Sequence, residues 1–141
     1  MEKHIAAYAE LNVLSNFSFL EGGSHPEELI ERAAFLGYRA IALTDRNTLA
    51  GVVRFHTAAK AKGIQAIIGA RIDIEDGASL ICLPKDRSAY SRLSKLLTLG
   101  KRRAQKSMCK LWRSDIIEYL QGQILIISLM KEKKFFLRKN L

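Results

Sequence analysis

The sequence has few of the features that stabilise small secreted proteins or anchor a chain in a membrane. Its two cysteines, Cys82 and Cys109, are too few and too far apart for a disulfide framework or a paired-cysteine metal site. No run of eighteen apolar residues is present, which excludes a membrane-spanning helix, and the amino terminus lacks the apolar segment of a secretory signal. These absences predict a cytoplasmic protein without a membrane partner.

Common catalytic signatures are also missing. The chain has no glycine-rich phosphate-binding loop of the Walker or Rossmann type, no HExxH motif and no GxSxG motif. Its three histidines, His4, His25 and His56, are widely separated and form no ligand cluster in the sequence. Motifs therefore give no support to the commonest nucleotide-binding and hydrolytic classes.

Acidic residues are absent from a strongly basic segment. Residues 101–113 carry a charge of +6 and residues 131–141 carry +4, which leaves the rest of the chain at −1 out of a total of +9. This distribution favours a polyanionic partner, most commonly nucleic acid, although a solvated helix face and a frayed terminus would give the same pattern. Within the segment, Lys101, Arg102 and Arg103 lie at a predicted helix end and are the candidate phosphate contacts.

The chain does contain an alternation of short apolar strands and helices. With 141 residues, of which 48% are hydrophobic, it is long enough for one domain with a buried core. Strands are predicted at residues 11–14, 40–43 and 65–68, and helices are predicted to begin at the capping residues Ser24 and Thr48. This order favours parallel strand pairing in an α/β fold.

The pattern changes after Gly69. Two apolar segments, residues 71–74 and 79–83, flank a short glycine-containing turn and predict a β-hairpin. The domain is expected to end near residue 128. The remaining predicted elements are a helix capped by Asp86 that ends near Lys101, a short helix capped by Ser114, a strand over residues 123–128, and a basic tail over residues 129–141 that is either irregular or a short helix.

Asp45 is the strongest candidate for chemistry. A carboxylate just past the carboxyl end of a parallel strand can bind a metal ion or act as a base. The alternative is that it accepts hydrogen bonds from the backbone of its own turn. The neighbouring Arg46 favours this structural alternative, because a guanidinium group takes the place of a metal ion's charge.

Several long segments together resemble a known family. They are YAELNVLSNFSFLEGGSHPEELIERAAFLGY, AIALTDRNTLAGVVRFHTAAKAKGI, IIGARIDI and RLSKLLTLGKRRA. They are similar to the N-terminal PHP (polymerase and histidinol phosphatase) domain of bacterial C-family DNA polymerases, and most similar to the α subunit of the error-prone, damage-tolerant type. The resemblance covers about residues 8–128. It implies a partial PHP-type distorted β/α barrel, with parallel strands, helices outside them and a β-hairpin.

The resemblance also identifies the positions at which family members hold divalent metals. A His-x-His pair on the first strand is matched here by Asn12 and Leu14. A histidine after the second-strand aspartate, Asp45, is matched by Arg46, and a glutamate after the third strand is matched by Arg71. Because only Asp45 keeps its residue type, we expect no metal, no cofactor and no catalytic residue. An ion pair between Asp45 and Arg46, with Arg71 nearby, is expected instead.

The function implied by the resemblance belongs to a much larger protein. Members of the family are magnesium-dependent nucleotidyltransferases that act in DNA replication and in the repair and bypass of DNA damage. The chain is therefore predicted to be a truncated, non-catalytic PHP fragment with a structural role. Its expected partners are DNA, other polymerase or mutasome subunits, and further copies of itself through open sheet edges. Two alternatives stay open, namely a reduced metal-dependent PHP-type phosphoesterase and a small basic nucleic-acid-binding module.

Overall fold

The computed structural model describes residues 8–127. Over this range the chain folds into a mixed α/β structure, which confirms the predicted class. His4 and the predicted tail, residues 129–141, lie outside the described residues. The elements are β1 (Ala9–Val13), α1 (Pro26–Phe35), β2 (Ala40–Leu43), α2 (Val52–Lys62), β3 (Gln65–Ile68), β4 (Ala70–Ile72), β5 (Leu80–Pro84), α3 (Arg87–Arg103), α4 (Arg113–Tyr119) and β6 (Gln123–Ile127).

The first three strands form a parallel sheet in the order β1-β2-β3. The central strand β2 is buried along its whole length, as expected for a parallel strand covered on both faces. Helices α1 and α2 contribute Ile30 and Phe55, both fully buried, to a core with Leu43 of β2. This arrangement confirms the predicted parallel pairing and places the loops after β1 and β2 at the same sheet edge.

The last three strands form an antiparallel sheet in the order β4-β5-β6. Strands β4 and β5 are the predicted hairpin, and helix α3 packs Leu93 and Leu96 against them in a second core. A parallel bridge between Arg46 and Arg71 links the chain after β2 to β4. None of the helices among the described residues is long and apolar enough to cross a membrane.

Three of the four predicted helix caps are wrong, namely Ser24, Thr48 and Ser114. Helix α1 begins after His25, one residue beyond Ser24, and the backbone N–H of His25 donates to the Glu28 carboxylate at 2.7 Å. The hydroxyl of Thr48 accepts from the backbone N–H two residues on, at 3.2 Å, and so closes a turn. Helix α2 starts only after Gly51. The predicted cap Asp86 is confirmed, since its carboxylate accepts from the Ala89 N–H at 2.7 Å.

Helix α4 begins after Trp112, and its first turn is held by Asp115 instead of the predicted cap Ser114. The buried carboxylate of Asp115 accepts from the Trp112 backbone N–H at 2.9 Å and from the Arg103 guanidinium at 2.7 Å. Burial alone raises the pKa of Asp115, but these two hydrogen bonds and the Arg103 charge outweigh it and lower the pKa below its ordinary value.

We expect Asp115 to stabilise the chain only where its carboxyl group is ionised. Because its pKa is lowered on folding, the contribution is fully present above about pH 4 and is lost as the pH falls through the lowered value. The free energy of unfolding of Asp115→Asn should therefore fall below that of the unaltered chain near pH 7, and the two should converge in acid. Urea titrations across pH measure this. Glu118→Gln, at an exposed position of α4, is the control, and a gap independent of pH would contradict the prediction.

Candidate functional site

The carboxyl end of the parallel sheet brings together three of the five predicted metal positions. Arg71 donates its backbone N–H to the Asp45 carbonyl at 3.0 Å, and Asn47 donates its own to the Arg71 carbonyl at 2.8 Å. Asp45, Arg46 and Arg71 therefore lie side by side. Asn12 is exposed, and its backbone N–H donates to the Glu10 carboxylate at 3.1 Å. Leu14, at the fifth position, is half-buried and has no metal-binding atom on its side chain.

Asp45 serves as an anchor for the loop that follows β1. Its side chain is 1% exposed, and one carboxylate oxygen accepts from the Ser15 N–H and the Ser18 hydroxyl, both at 2.7 Å. The other oxygen accepts from the Ser15 hydroxyl at 2.7 Å. The Ser18 hydroxyl in turn accepts from the Arg46 N–H at 2.9 Å. The structural interpretation of Asp45 is thus supported, although its donors come from another loop and not from its own turn.

The predicted ion pair between Asp45 and Arg46 is wrong. The Arg46 guanidinium instead binds the carboxylates of Glu21 and Asp73. Neighbouring residues in extended chain direct their side chains to opposite sides, so Asp45 turns toward the buried loop and Arg46 turns away from it.

Arg71 completes a network of two guanidiniums and two carboxylates. Its side chain binds Glu21, and its Nε lies 3.8 Å from Asp73 Oδ1. Burial alone lowers the pKa of Arg46, but the hydrogen bonds and charges of Asp73 and Glu21 outweigh it and raise the pKa above its ordinary value. Arg46 therefore stays charged at every physiological pH, and the four formal charges cancel.

The donor set at this edge does not fit the divalent metals that the family resemblance implies. Both carboxylates of the network are bound to guanidiniums, and Asp45 is engaged by three donors. Over residues 8–127, no group of three or more His, Cys, Asp or Glu side chains is placed to hold a metal ion. Two arginines at ligand positions would repel such an ion electrostatically.

Sequence reasoning missed Glu21 and Asp73. The available signal was indirect, because two cations expected side by side, of which Arg71 is half-buried, need acids to neutralise them. The sequence contains several candidate acids, and only the fold shows which ones meet Arg46 and Arg71. A cavity of about 650 Å³ adjoins the network, and its lining includes Phe17 and Lys101.

The predicted phosphate contacts Lys101, Arg102 and Arg103 are consecutive residues of α3, and their side chains do not all face the same surface. Successive residues of an α-helix point about 100° apart. Lys101 lines the cavity beside the network, whereas Arg102 lines a second cavity on the outer side of α3. Arg103 is paired with Asp115 at 2.7 Å and lies 5.5 Å from the ring centre of Trp112. Lys101 therefore faces a different surface from Arg102 and Arg103, which line the same cavity, and phosphate contact by each stays a prediction.

The structure is an α/β domain of the distorted-barrel class. Its parallel strands carry polar loops at their carboxyl ends, and an antiparallel sheet follows them in the chain. A match to the PHP domain covers residues 10–133, and the chain belongs to this family. The family predicted from the sequence is thereby confirmed.

Relatives in sequence are much longer than this chain. The error-prone DNA polymerase of Caulobacter vibrioides is 51% identical over 121 residues, which are 85% of this chain and 11% of that protein. Error-prone DNA polymerase 3 of Agrobacterium fabrum is 48% identical over 121 residues, with 86% and 11% covered. The chain is thus a PHP domain similar to the N-terminal region of error-prone DNA polymerases, and it spans about a tenth of their length.

Solved structures support the fold. An amidohydrolase from Chromobacterium violaceum, with bound sulfate and no metal, aligns with a TM-score of 0.57 at 27% identity, over 67% of this chain and 33% of that one. A candidate metal-dependent phosphoesterase from Bifidobacterium adolescentis aligns with a TM-score of 0.58 at 24% identity, over 69% and 34%. These likenesses confirm the predicted barrel-type α/β architecture.

Proposed function

We propose that this chain is a non-catalytic, structural PHP domain of the error-prone DNA polymerase type. The observation that carries the proposal is the ion-pair network at the strand ends. At two positions where the family resemblance places a metal ligand, Arg46 and Arg71 are bound to Glu21 and Asp73. The network holds the loop after β1 against β4 with protein side chains alone, which is a structural use of the site.

The proposed setting is DNA replication across damaged template in the cytoplasm. The named relatives are error-prone DNA polymerases, and we assign DNA synthesis to parts of such a polymerase other than this domain. DNA and other polymerase or mutasome subunits are accordingly the proposed partners. Self-association is a further proposal, supported by the exposed Ile124 and Ile127 on β6, which is an edge strand of the sheet formed within residues 8–127.

Metal analysis tests the structural proposal. We expect the purified chain, after incubation with zinc or manganese and removal of free metal, to contain far less than a stoichiometric amount by elemental analysis. The physical reason is that both acids of the network already neutralise guanidinium groups. A metal-binding PHP phosphoesterase carried through the same procedure is the positive control. Stoichiometric metal, together with phosphate release from a phosphomonoester that EDTA abolishes, would contradict the proposal and favour a reduced phosphoesterase.

A second candidate function is nucleic-acid binding by the basic end of α3. The specific observation that favours it is the composition of this helix. It ends in three consecutive bases, Lys101–Arg103, and contains no acidic residue along its 17 residues.

A further inference from the structure

We propose that the outer face of α3 binds the phosphate backbone of nucleic acid through Lys95 and Arg102, with the hydroxyl of Ser94 beside them. This inference rests on the proposed association with DNA. It assigns that association to a different set of residues from the consecutive cluster Lys101–Arg103, because only Arg102 belongs to both.

The first argument is the charge of the helix. A 17-residue helix is about 25 Å long, which is enough to run beside several consecutive phosphates of a nucleic-acid strand. A surface for a protein partner commonly mixes both signs of charge, whereas α3 offers an anion no competing carboxylate of its own. Its six basic residues are Arg87, Arg92, Lys95, Lys101, Arg102 and Arg103.

The second argument is the shape of the surface. A groove of about 450 Å³ lies on the outer side of α3, with Lys95, Thr98 and Arg102 on one wall and Tyr119 of α4 on the other. The three helix residues are spaced by three and four positions and so share one helical face. Among residues 8–127, every charged side chain that lines the groove is a cation. Lysine and arginine side chains are usual donors to phosphate oxygens. The Thr98 hydroxyl donates to the Ser94 carbonyl at 2.9 Å and so contributes to the wall of the groove and not to the donors.

The third argument is that these two cations are available. Arg46, Arg71 and Arg103 are each held in an ion pair, and their charge is used within the fold. Lys95 and Arg102 are exposed and pair with no acid over residues 8–127. Substituting Lys95 and Arg102 breaks no ion pair within residues 8–127, so an effect on DNA binding would not come from unfolding.

The way in which Arg103 is held supports the same assignment. Arg103 also lines it, and its guanidinium is held by the buried Asp115 and by the ring of Trp112. The groove is therefore preorganised on the side of α4, while Lys95 and Arg102 are the charges left to meet a ligand. A rigid site loses less conformational entropy when it binds.

The test compares two double variants of the full 141-residue chain. Lys95→Gln with Arg102→Gln removes the proposed contacts, and Lys60→Gln with Lys106→Gln removes the same charge elsewhere. Fluorescence anisotropy with labelled single-stranded and duplex DNA is measured over a series of salt concentrations. Urea unfolding checks that each variant is folded. All carboxyl-terminal residues are identical in the variants, so their contribution cancels.

We expect the groove variant to bind duplex about tenfold more weakly and to reduce the slope of log K against log salt by about 1.8, which corresponds to two phosphate contacts. The control variant should lose about twofold or less. Equal losses in both variants would overturn the inference, because only net charge would matter. Competition by poly-glutamate as strong as that by DNA would also overturn it.

The same experiment separates this inference from the proposed function. Absence of DNA binding by the unaltered chain at low salt would remove the proposed association with DNA itself. Binding that is present but unaffected by Lys95→Gln and Arg102→Gln would remove only the groove assignment. Neither result would bear on the proposal that the ion-pair network at the strand ends has a structural role and binds no metal.

Discussion

Replacing Asp45 with alanine should lower the free energy of unfolding by about 3–5 kcal/mol, one of the two largest effects expected in this chain. The change leaves the Ser15 N–H and the hydroxyls of Ser15 and Ser18 without their acceptor. Both serines are buried, at 0% and 2% exposure, so water cannot replace the carboxylate without opening the loop. Urea unfolding followed by Trp112 fluorescence measures the loss.

Asp45→Asn is the matched control. The amide keeps one oxygen acceptor, and the serine hydroxyls can rotate, so the cost should be smaller, at about 1–3 kcal/mol. If Asp45→Ala left the unfolding midpoint unchanged, Asp45 would not be an anchor. The catalytic interpretation of this residue would then have to be reconsidered.

Replacing Gly22 with alanine should cost about 1–3 kcal/mol, because a methyl group has no room at this position. A Cβ atom there would lie 2.1 Å from the Ser15 carbonyl oxygen and 2.6 Å from its carbon. These are backbone atoms, so the loop itself must move. Such a movement would displace the residue that donates two hydrogen bonds to Asp45.

The adjacent Gly23 provides the control for Gly22. A Cβ at Gly23 meets nothing within 4 Å, so Gly23→Ala should change the free energy of unfolding by about 0.5 kcal/mol or less. Urea titration of the two single variants measures the contrast. Similar losses for both would mean that the close approach of Gly22 to Ser15 does not control the loop.

The predictions for Asp45 and Gly22 both concern the loop that follows β1. The loop after β1 is fixed at its base by Asp45 and near its tip by Glu21, which binds both Arg46 and Arg71. Metal ligands of the family would occupy the same strand ends. Here the loops are held together by hydrogen bonds and ion pairs between protein groups.

Much of the framework follows from local sequence. The predicted strands at residues 40–43 and 65–68 match β2 and β3 in their bounds, because short apolar runs ended by turn residues have few alternative structures. The Asp86 cap was also predictable, since its acceptor and the Ala89 donor are three residues apart. The family is equally visible in the sequence.

The partners of the charged residues were not predictable in this way. Asp45 meets Ser15 across 30 residues of chain, and Arg71 meets Glu21 across 50. The assignment of Asp45 and Arg46 as an ion pair relied on their adjacency in sequence. It failed because adjacent side chains in extended chain point in opposite directions.

The sequence by itself determined the family and the parallel pairing of the first strands. These depend on residue identity and on short-range periodicity. Only the tertiary structure decided which acids neutralise Arg46 and Arg71, what Asp45 holds, and which of the bases in α3 stay exposed. The reason is that a charge or hydrogen-bond donor is satisfied by whichever group the fold brings within about 3 Å, and that distance is set by the packing of loops far apart in the chain.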